Sequence, residues 1–439
     1  MDTLISNVTV VTMNERMEVL FGAHLGIADG KISYLSKEPP KEQPATIVDG
    51  TGMVAIPGLI NCHTHLATTV LRSCFDDLSP REALEALLQK EAKMDSRIAK
   101  AAATLGIAEC LRFGITSVSD LYYYPDATAQ AAADAGIKAN IALSAYRFID
   151  ENEDFDFKTD EQCQELARVA DKWNDYDNGR IKIDGGIYAE YTSNRKLWEG
   201  ISTYCGEKGL GMQLHLSQTR EEVDSCIDRT GLTPGELLGC HGFFTVPTAA
   251  AGCAFLSEEE LQLLGKKKVS AVAMPLTAAK VGQPSTPIGK CVKAGMNVAL
   301  GTGGAVECGS MDLFEVMRGA AMAERTACGN ADAMPAPAAL MMATVCGATA
   351  QGRSCCGMLK EGMDADLALV DFSAPHLMPC HNVLNGLVFS AKGGDVAMTM
   401  VRGKILYQNG QFPTIDLKAA VEELTGYAIG RLFEAPRAE

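Results

Sequence analysis

Three histidines stand where they could bind one metal ion. His63 and His65 are two residues apart at the end of a β-rich segment, so their side chains leave the same face of a strand. His215 ends a later β-rich segment and offers a third imidazole. Because three neutral imidazoles suffice for a zinc site, the spacing predicts a metal site at His63, His65 and His215. The alternative is that they are polar groups left in a pocket, hydrogen-bonded to one another or to water.

The segments that position these histidines repeat one order, a short β-rich run followed by a helical stretch. Eight strand candidates recur in the middle of the chain, at residues 54–59, 115–121, 139–144, 181–187, 212–216, 248–254, 269–274 and 298–300. This number of βα units predicts a (β/α)₈ TIM barrel, with a doubly wound sheet as the weaker alternative. Active sites of such barrels lie at the C-terminal ends of the strands, where all three histidines are expected.

Both ends of the chain show the residue alternation that is typical of β-strands, with turns at Asp29-Gly30 and Asn409-Gly410. We therefore expect a small β-sandwich built from residues 1–56 and 357–415. The barrel is expected to occupy residues 57–356, and the helical spacing of apolar residues predicts a C-terminal helical tail over 416–439.

The composition limits the kinds of partner. The chain has 439 residues, a net charge of −16 and seven histidines. An acidic chain is a poor partner for nucleic acid, because phosphate backbones require clustered Lys and Arg. No apolar run reaches the length of a membrane span, and no leader is recognised at the start. We expect a cytoplasmic protein with reduced cysteines that binds a small molecule rather than nucleic acid or a membrane.

Several motifs together resemble the amidohydrolase superfamily. They are Pro57-Gly-Leu-Ile-Asn-Cys-His-Thr-His-Leu66, Leu71-Arg72, Asp76-Asp77-Leu78, Thr233-Pro-Gly-Glu-Leu237, Ala294-Gly-Met-Asn-Val-Ala-Leu-Gly301 and Gly362-Met-Asp-Ala-Asp-Leu367. Within that superfamily the chain is most similar to the methylthioadenosine/S-adenosylhomocysteine deaminases and related chlorohydrolases and aminohydrolases. The resemblance runs nearly end to end. It implies a β/α barrel with a β-sandwich, usually one zinc or iron ion, and a homo-oligomer.

The resemblance also assigns residues to roles. The first three metal histidines of the family match His63, His65 and His215. Arg147 matches a substrate contact after the third strand and would favour an acidic ligand. Tyr188 stands where the family has a substrate-contacting histidine on the fourth strand.

Other family positions carry different side chains here. Gln218 matches the proton-shuttling glutamate, and Gly303 matches the aspartate that binds metal and acts as general base. Gly252 stands at the position of a sixth-strand histidine, and Ala83 at that of a tryptophan that closes over the purine. Glycine has no side chain to offer, and a glutamine amide cannot exchange a proton near neutral pH.

Three functional hypotheses follow. In the first, the protein has lost the family's deamination chemistry, carries no metal or weakly bound zinc, and binds a small polar metabolite at the barrel mouth. In the second, it is an active C–N hydrolase or deaminase whose three histidines gain a non-family ligand, with Glu307, Cys308 and Cys253 as candidates. In the third, it is a non-catalytic structural or regulatory homologue.

Overall fold

The computed structural model of the chain describes residues 1–148 and 155–433. Eight parallel strands form a nearly closed barrel in sequence order around the ring. They are Leu59–Thr64, Ile115–Tyr122, Lys138–Leu143, Ile181–Gly186, Met212–Leu216, Thr248–Gly252, Ser270–Ala273 and Asn297–Leu300. The first and last strands meet where the Gly303 N–H donates to the His63 carbonyl oxygen at 3.0 Å. The predicted (β/α)₈ barrel is confirmed.

A second, mixed sheet combines strands from both ends of the chain, as predicted. Its strands are Thr3–Val11, Val19–Ala28, Lys31–Ser36, Thr46–Asp49, Met53–Pro57, Leu367–Asp371, Val396–Val401 and Lys404–Gln408. Met53–Pro57 pairs antiparallel with Leu367–Asp371, which joins the N-terminal part of the sheet to the C-terminal part. Some apolar residues of this sheet, such as Leu25 and Leu369, form a buried cluster of their own, whereas others, such as Val54 and Val370, join the larger cluster around the barrel.

The first barrel strand lies further along the chain than the predicted 54–59. Those residues divide between two sheets, because Met53–Pro57 belongs to the mixed sheet and the barrel strand begins at Leu59. Gly58 lies at the junction, and its N–H donates to the Asp366 carbonyl oxygen at 3.0 Å. A Cβ at Gly58 would overlap the Thr116 side chain, so only glycine fits. The shift carries His63 into the strand and places His65 directly after it.

Helices cover the outside of the barrel. The α-helices are Pro80–Glu91, Ser96–Arg112, Pro125–Ala135, Glu161–Trp173, Arg195–Lys208, Arg220–Thr230, Pro234–Cys240, Glu258–Lys266, Pro275–Lys280, Ile288–Lys293, Ala305–Cys308, Leu313–Cys328, Ala336–Met342, Val345–Ala350, Val383–Phe389, Leu417–Glu423 and Ile429–Leu432. Apolar residues three and four apart turn inward, as with Leu166, Val169 and Ala170 of Glu161–Trp173. None of the helices in the described ranges is both long and apolar enough to cross a bilayer.

The predicted tail over 416–439 is helical where the structure describes it. Leu417–Glu423 is followed by a π-helical turn, Leu424–Ala428, and then by Ile429–Leu432. The tail packs back on the barrel, since Tyr427 Oη donates to Asp95 Oδ2 at 2.7 Å. Residues 434–439 lie outside the described part of the chain.

Candidate functional site

The three histidines converge at the C-terminal end of the barrel strands. One donor nitrogen from each of His63, His65 and His215 lies within 4.8 Å of the others. His63 Nε2 is 3.0 Å from His215 Nε2, and all three side chains are buried. The three histidines that the sequence predicted to form one site therefore lie close together in the fold.

Backbone carbonyls orient two of the rings. His65 Nδ1 lies 2.7 Å from the Leu121 carbonyl oxygen, and His215 Nδ1 lies 2.8 Å from the Tyr188 carbonyl oxygen. A carbonyl oxygen only accepts hydrogen bonds, so each Nδ1 carries the proton. In the neutral ring this leaves the Nε2 lone pair of both histidines directed into the cluster, as in metal sites.

Burial disfavours the protonated forms of His63 and His215. Loss of solvent, with repulsion from His215 and His65, lowers the pKa of His63 well below its ordinary value. Burial, with repulsion from His65, lowers the pKa of His215 to about 3. Metal binding requires neutral imidazoles, so burial favours in His63 and His215 the form of the ring that a metal binds.

A buried carboxylate fixes the backbone that follows the first strand. Asp120 Oδ1 accepts from the Leu66 N–H at 2.6 Å and from Thr64 Oγ1 at 3.1 Å. Burial raises the pKa of Asp120 to about 6. The sequence reasoning missed this residue, although its place at the end of the strand Ile115–Tyr122 was a usable signal. Asp120 holds His65 in position through its two chain neighbours.

Two of the positions at which the sequence predicted altered family residues, Gly252 and Gln218, lie against each other. Gly252 ends the strand Thr248–Gly252 with φ +95°, and a Cβ there would come within 3.0 Å of Gln218 Cβ and 3.2 Å of Gln218 Cγ. The Gln218 N–H donates to Glu222 Oε2 at 2.7 Å, which fixes the loop. Both residues line a cavity of about 40 Å³ that also touches Met274. The Gln218 side chain therefore occupies space next to Gly252, which has no side chain.

The other predicted positions are distributed around the mouth. Tyr188 follows the strand Ile181–Gly186, and its ring centroid lies 4.7 Å from that of His215. Arg147 is half exposed and forms an ion pair with the buried Asp160, which also caps the helix Glu161–Trp173. Tyr188 shares a cavity with His65, whereas Arg147 is not among the residues that line it.

The candidate replacement ligands lie apart from the histidine cluster. Among the described residues, Glu307, Cys308 and Cys253 are not in the group whose donor atoms lie within 4.8 Å of one another. Cys253 Sγ instead lies 3.4 Å from the Ala250 carbonyl oxygen. Glu307 lines the cavity that contains His65 and Tyr188. That cavity also contains Glu91 and Ser144, which the sequence reasoning did not identify, because neither carries a motif.

Comparisons with known proteins agree with this geometry. The profile of the Amidohydrolase family matches residues 54–406. A 5-methylthioadenosine/S-adenosylhomocysteine deaminase from Caldicellulosiruptor saccharolyticus is 34% identical over 430 residues, which cover 97% of each chain. A 5'-deoxyadenosine deaminase from Methanosarcina acetivorans is 34% identical over 423 residues, or 96% of each chain. An adenosine deaminase from Xanthomonas campestris, solved with bound zinc, has a TM-score of 0.91 at 27% identity and covers 98% of each chain.

Proposed function

The chain belongs to the amidohydrolase family, as its motifs predicted, and we propose that it binds a small polar metabolite at the barrel mouth, above a weak metal site, without the family's proton transfers. His63, His65 and His215 would hold the metal, and Tyr188, Gln218 and Arg147 would contact the ligand. The cluster of three buried imidazoles, which no carboxylate joins within 4.8 Å among the described residues, carries this proposal.

The residues fit a metal such as zinc. Zinc accepts three histidine nitrogens and keeps a fourth position open, and when bound it lowers the pKa of a water molecule and polarises a carbonyl. The Nδ1 hydrogen bonds of His65 and His215 to backbone carbonyls are the orienting contacts that such ligands usually have. A site of three imidazoles without a carboxylate should bind the metal weakly.

The chain's own groups do not move protons as the family requires. At Gly303 there is only backbone, and its N–H is engaged by the His63 carbonyl oxygen. At Gln218 the side chain is a neutral amide, which can orient a ligand but cannot shuttle a proton. Removing a general acid or base typically costs about 10²- to 10⁴-fold in rate, so we expect deamination to be slow.

Metal analysis tests this proposal. The purified protein should contain well under one equivalent of zinc or iron by plasma emission, and a chelator should remove it. Added zinc should bind the wild type and not His63→Ala, whereas exposed His381→Ala serves as the matched control. A stoichiometric, chelator-resistant metal would contradict the weak site and favour the hydrolase with an altered metal shell.

Two further assays separate the remaining hypotheses. With zinc added, methylthioadenosine, S-adenosylhomocysteine and adenosine should turn over in an absorbance assay at less than about 1 s⁻¹, the lower end of the usual enzyme range. A metabolite at about 100 times its Kd should raise the unfolding free energy by about 2.7 kcal/mol. If no metabolite stabilises the wild type, the structural or regulatory hypothesis is favoured.

A further inference from the structure

A small cavity lies beside His65 under the helix Pro80–Glu91. Its volume is about 30 Å³, whereas a single water needs roughly 10–15 Å³. Leu84, Leu87 and Leu88 of that helix form its apolar side. The cavity therefore has room for a small polar group of one or two non-hydrogen atoms, such as the end of a longer ligand.

The charged side chains that line this cavity are acidic. The described lining residues include two carboxyl groups, those of Glu91 and Glu307, and no lysine or arginine. Glu91 Oε1 accepts from Tyr122 Oη at 2.7 Å. Glu307 Oε2 is buried and has no hydrogen-bond partner within the described part of the chain. An unpartnered buried carboxylate oxygen is costly unless a donor or a cation reaches it.

A separate buried group points to the same cavity. Ser144 is 2% exposed, and its Oγ has no hydrogen-bond partner among residues 1–148 and 155–433. It follows the strand Lys138–Leu143, so it comes from a different element than either carboxylate. Three oxygen atoms from three elements thus line one cavity, and each can accept a hydrogen bond.

The carboxylate of Glu307 is placed there by the local sequence. A Cβ at Gly304 would overlap both Glu307 Oε2 and Thr68 Oγ1. Only glycine at 304 leaves room for the acidic group to turn toward His65. Because Glu307 lies outside the group of imidazole donor atoms, its charge is available to something other than a metal held by the three histidines.

We propose that this cavity binds a positively charged amino group of the ligand, with the Glu307 carboxylate as counter-charge and with Glu91 and Ser144 Oγ as further acceptors. An alkylammonium has three N–H donors, which matches three oxygen acceptors. Charge-assisted hydrogen bonds of this kind are about twice as strong as neutral ones. This proposal rests on the proposed small-molecule site and names the class of ligand: a primary amine rather than the acid that Arg147 suggested.

The test compares two small probes of opposite charge, methylammonium and acetate. Their binding to the full chain is measured by ligand-detected NMR titration, with Glu307→Gln, Ser144→Ala and the exposed Glu422→Gln as variants. Methylammonium should bind the wild type, and Glu307→Gln should weaken its binding by about tenfold. Ser144→Ala should weaken it less, and Glu422→Gln should leave it unchanged. Near-ultraviolet circular dichroism establishes that each variant is folded.

The outcomes distinguish this proposal from the broader one. If acetate binds as tightly as methylammonium, or if folded Glu307→Gln and Ser144→Ala bind methylammonium like the wild type, the cationic class is wrong. The small-molecule site itself would still stand in that case if metabolites stabilise the protein in a manner that His65→Ala abolishes. Absence of binding by any probe or metabolite would overturn both.

Discussion

Two buried polar clusters at opposite ends of the barrel differ in how completely they are paired. At the N-terminal end, Lys138 Nζ donates to Asp364 Oδ2 at 2.6 Å, to Asp366 Oδ2 and to Cys356 Sγ at 3.1 Å. At the C-terminal end, Glu307 Oε2, Ser144 Oγ and Asp120 Oδ2 have no partner within the described chain. Burial alone therefore does not separate a structural cluster from a binding site, whereas hydrogen-bond satisfaction does.

The paired cluster joins the barrel to the mixed sheet. Cys356, Asp364 and Asp366 have donor atoms close enough to hold a cation, but the Lys138 ammonium already provides that charge. Arg353 extends the network, since its Nη2 donates to the Ala139 carbonyl oxygen at 2.9 Å. These three side chains have the composition of a metal site, but with Lys138 they form an ion cluster in which the charges are already paired.

The largest expected effect is on the paired cluster. Lys138→Met would leave the buried Asp366 without its counter-charge, whereas Asp364 keeps its ion pair with Lys31. We therefore expect the unfolding free energy to fall by about 3–5 kcal/mol. Chemical denaturation measures it, with the exposed Lys418→Met as control, expected within about 0.5 kcal/mol of the wild type. A loss below about 1 kcal/mol for Lys138→Met would mean that the two clusters do not differ energetically.

The pH dependence of stability tests the acidic mouth. Burial, with repulsion from Glu307, raises the pKa of Glu91 to about 7 from a usual 4.5. The folded state then holds the proton more tightly than the unfolded state, so stability from this group is present below pH 4.5 and is lost as pH rises through 7. Between pH 5 and 8 the wild type should lose about 2–3 kcal/mol relative to Glu91→Gln. If the unfolding free energies of the wild type and Glu91→Gln depend on pH in the same way, this prediction is wrong. Glu422→Gln is the control.

The sequence predicted the barrel well because each strand is a short apolar run followed by helical spacing. The error at 54–59 has a local cause. Two consecutive buried strands, Met53–Pro57 and Leu59–Thr64, read as one apolar run, and only the packing of Gly58 against Thr116 shows where the chain leaves one sheet for the other. The spacing of apolar residues along the chain gives no information about that contact.

The site was predictable only where spacing carries information. His63 lies in the first barrel strand and His65, two residues further on, directly follows it, and the strand-end rule located His215. Glu91 and Ser144 come from a helix and a loop far apart in sequence, and only the fold brings them to one cavity. Whether a buried oxygen atom has a partner is likewise a property of the folded chain.

Adding a carboxylate to the histidine cluster should strengthen its metal binding. This tests how the cluster differs from the fully paired cluster around Lys138. Gly303→Asp places a side chain where a Cβ would meet Thr277 Oγ1 at 3.1 Å, and aspartate tolerates φ +70° better than most residues. We expect zinc affinity to rise by about tenfold, or about 1.4 kcal/mol, in competition with a chromophoric chelator. Gly303→Asn controls for bulk without charge. Equal affinities in all three proteins would mean that the new carboxylate does not reach the metal.

The smallest expected effect on stability comes from the contact between Gly252 and Gln218 at the barrel mouth. Gly252→Ala should destabilise for two reasons, namely the positive φ of residue 252 and crowding of Gln218 by the new Cβ. Strain at φ +95° is independent of the neighbour, whereas crowding disappears in a Gln218→Gly background. A double-mutant cycle should therefore give a coupling of about 0.5–1 kcal/mol, with Gly252→Ala tolerated better when Gln218 is absent. Denaturation curves of the four proteins measure it. Zero coupling would assign the whole cost to backbone strain at residue 252.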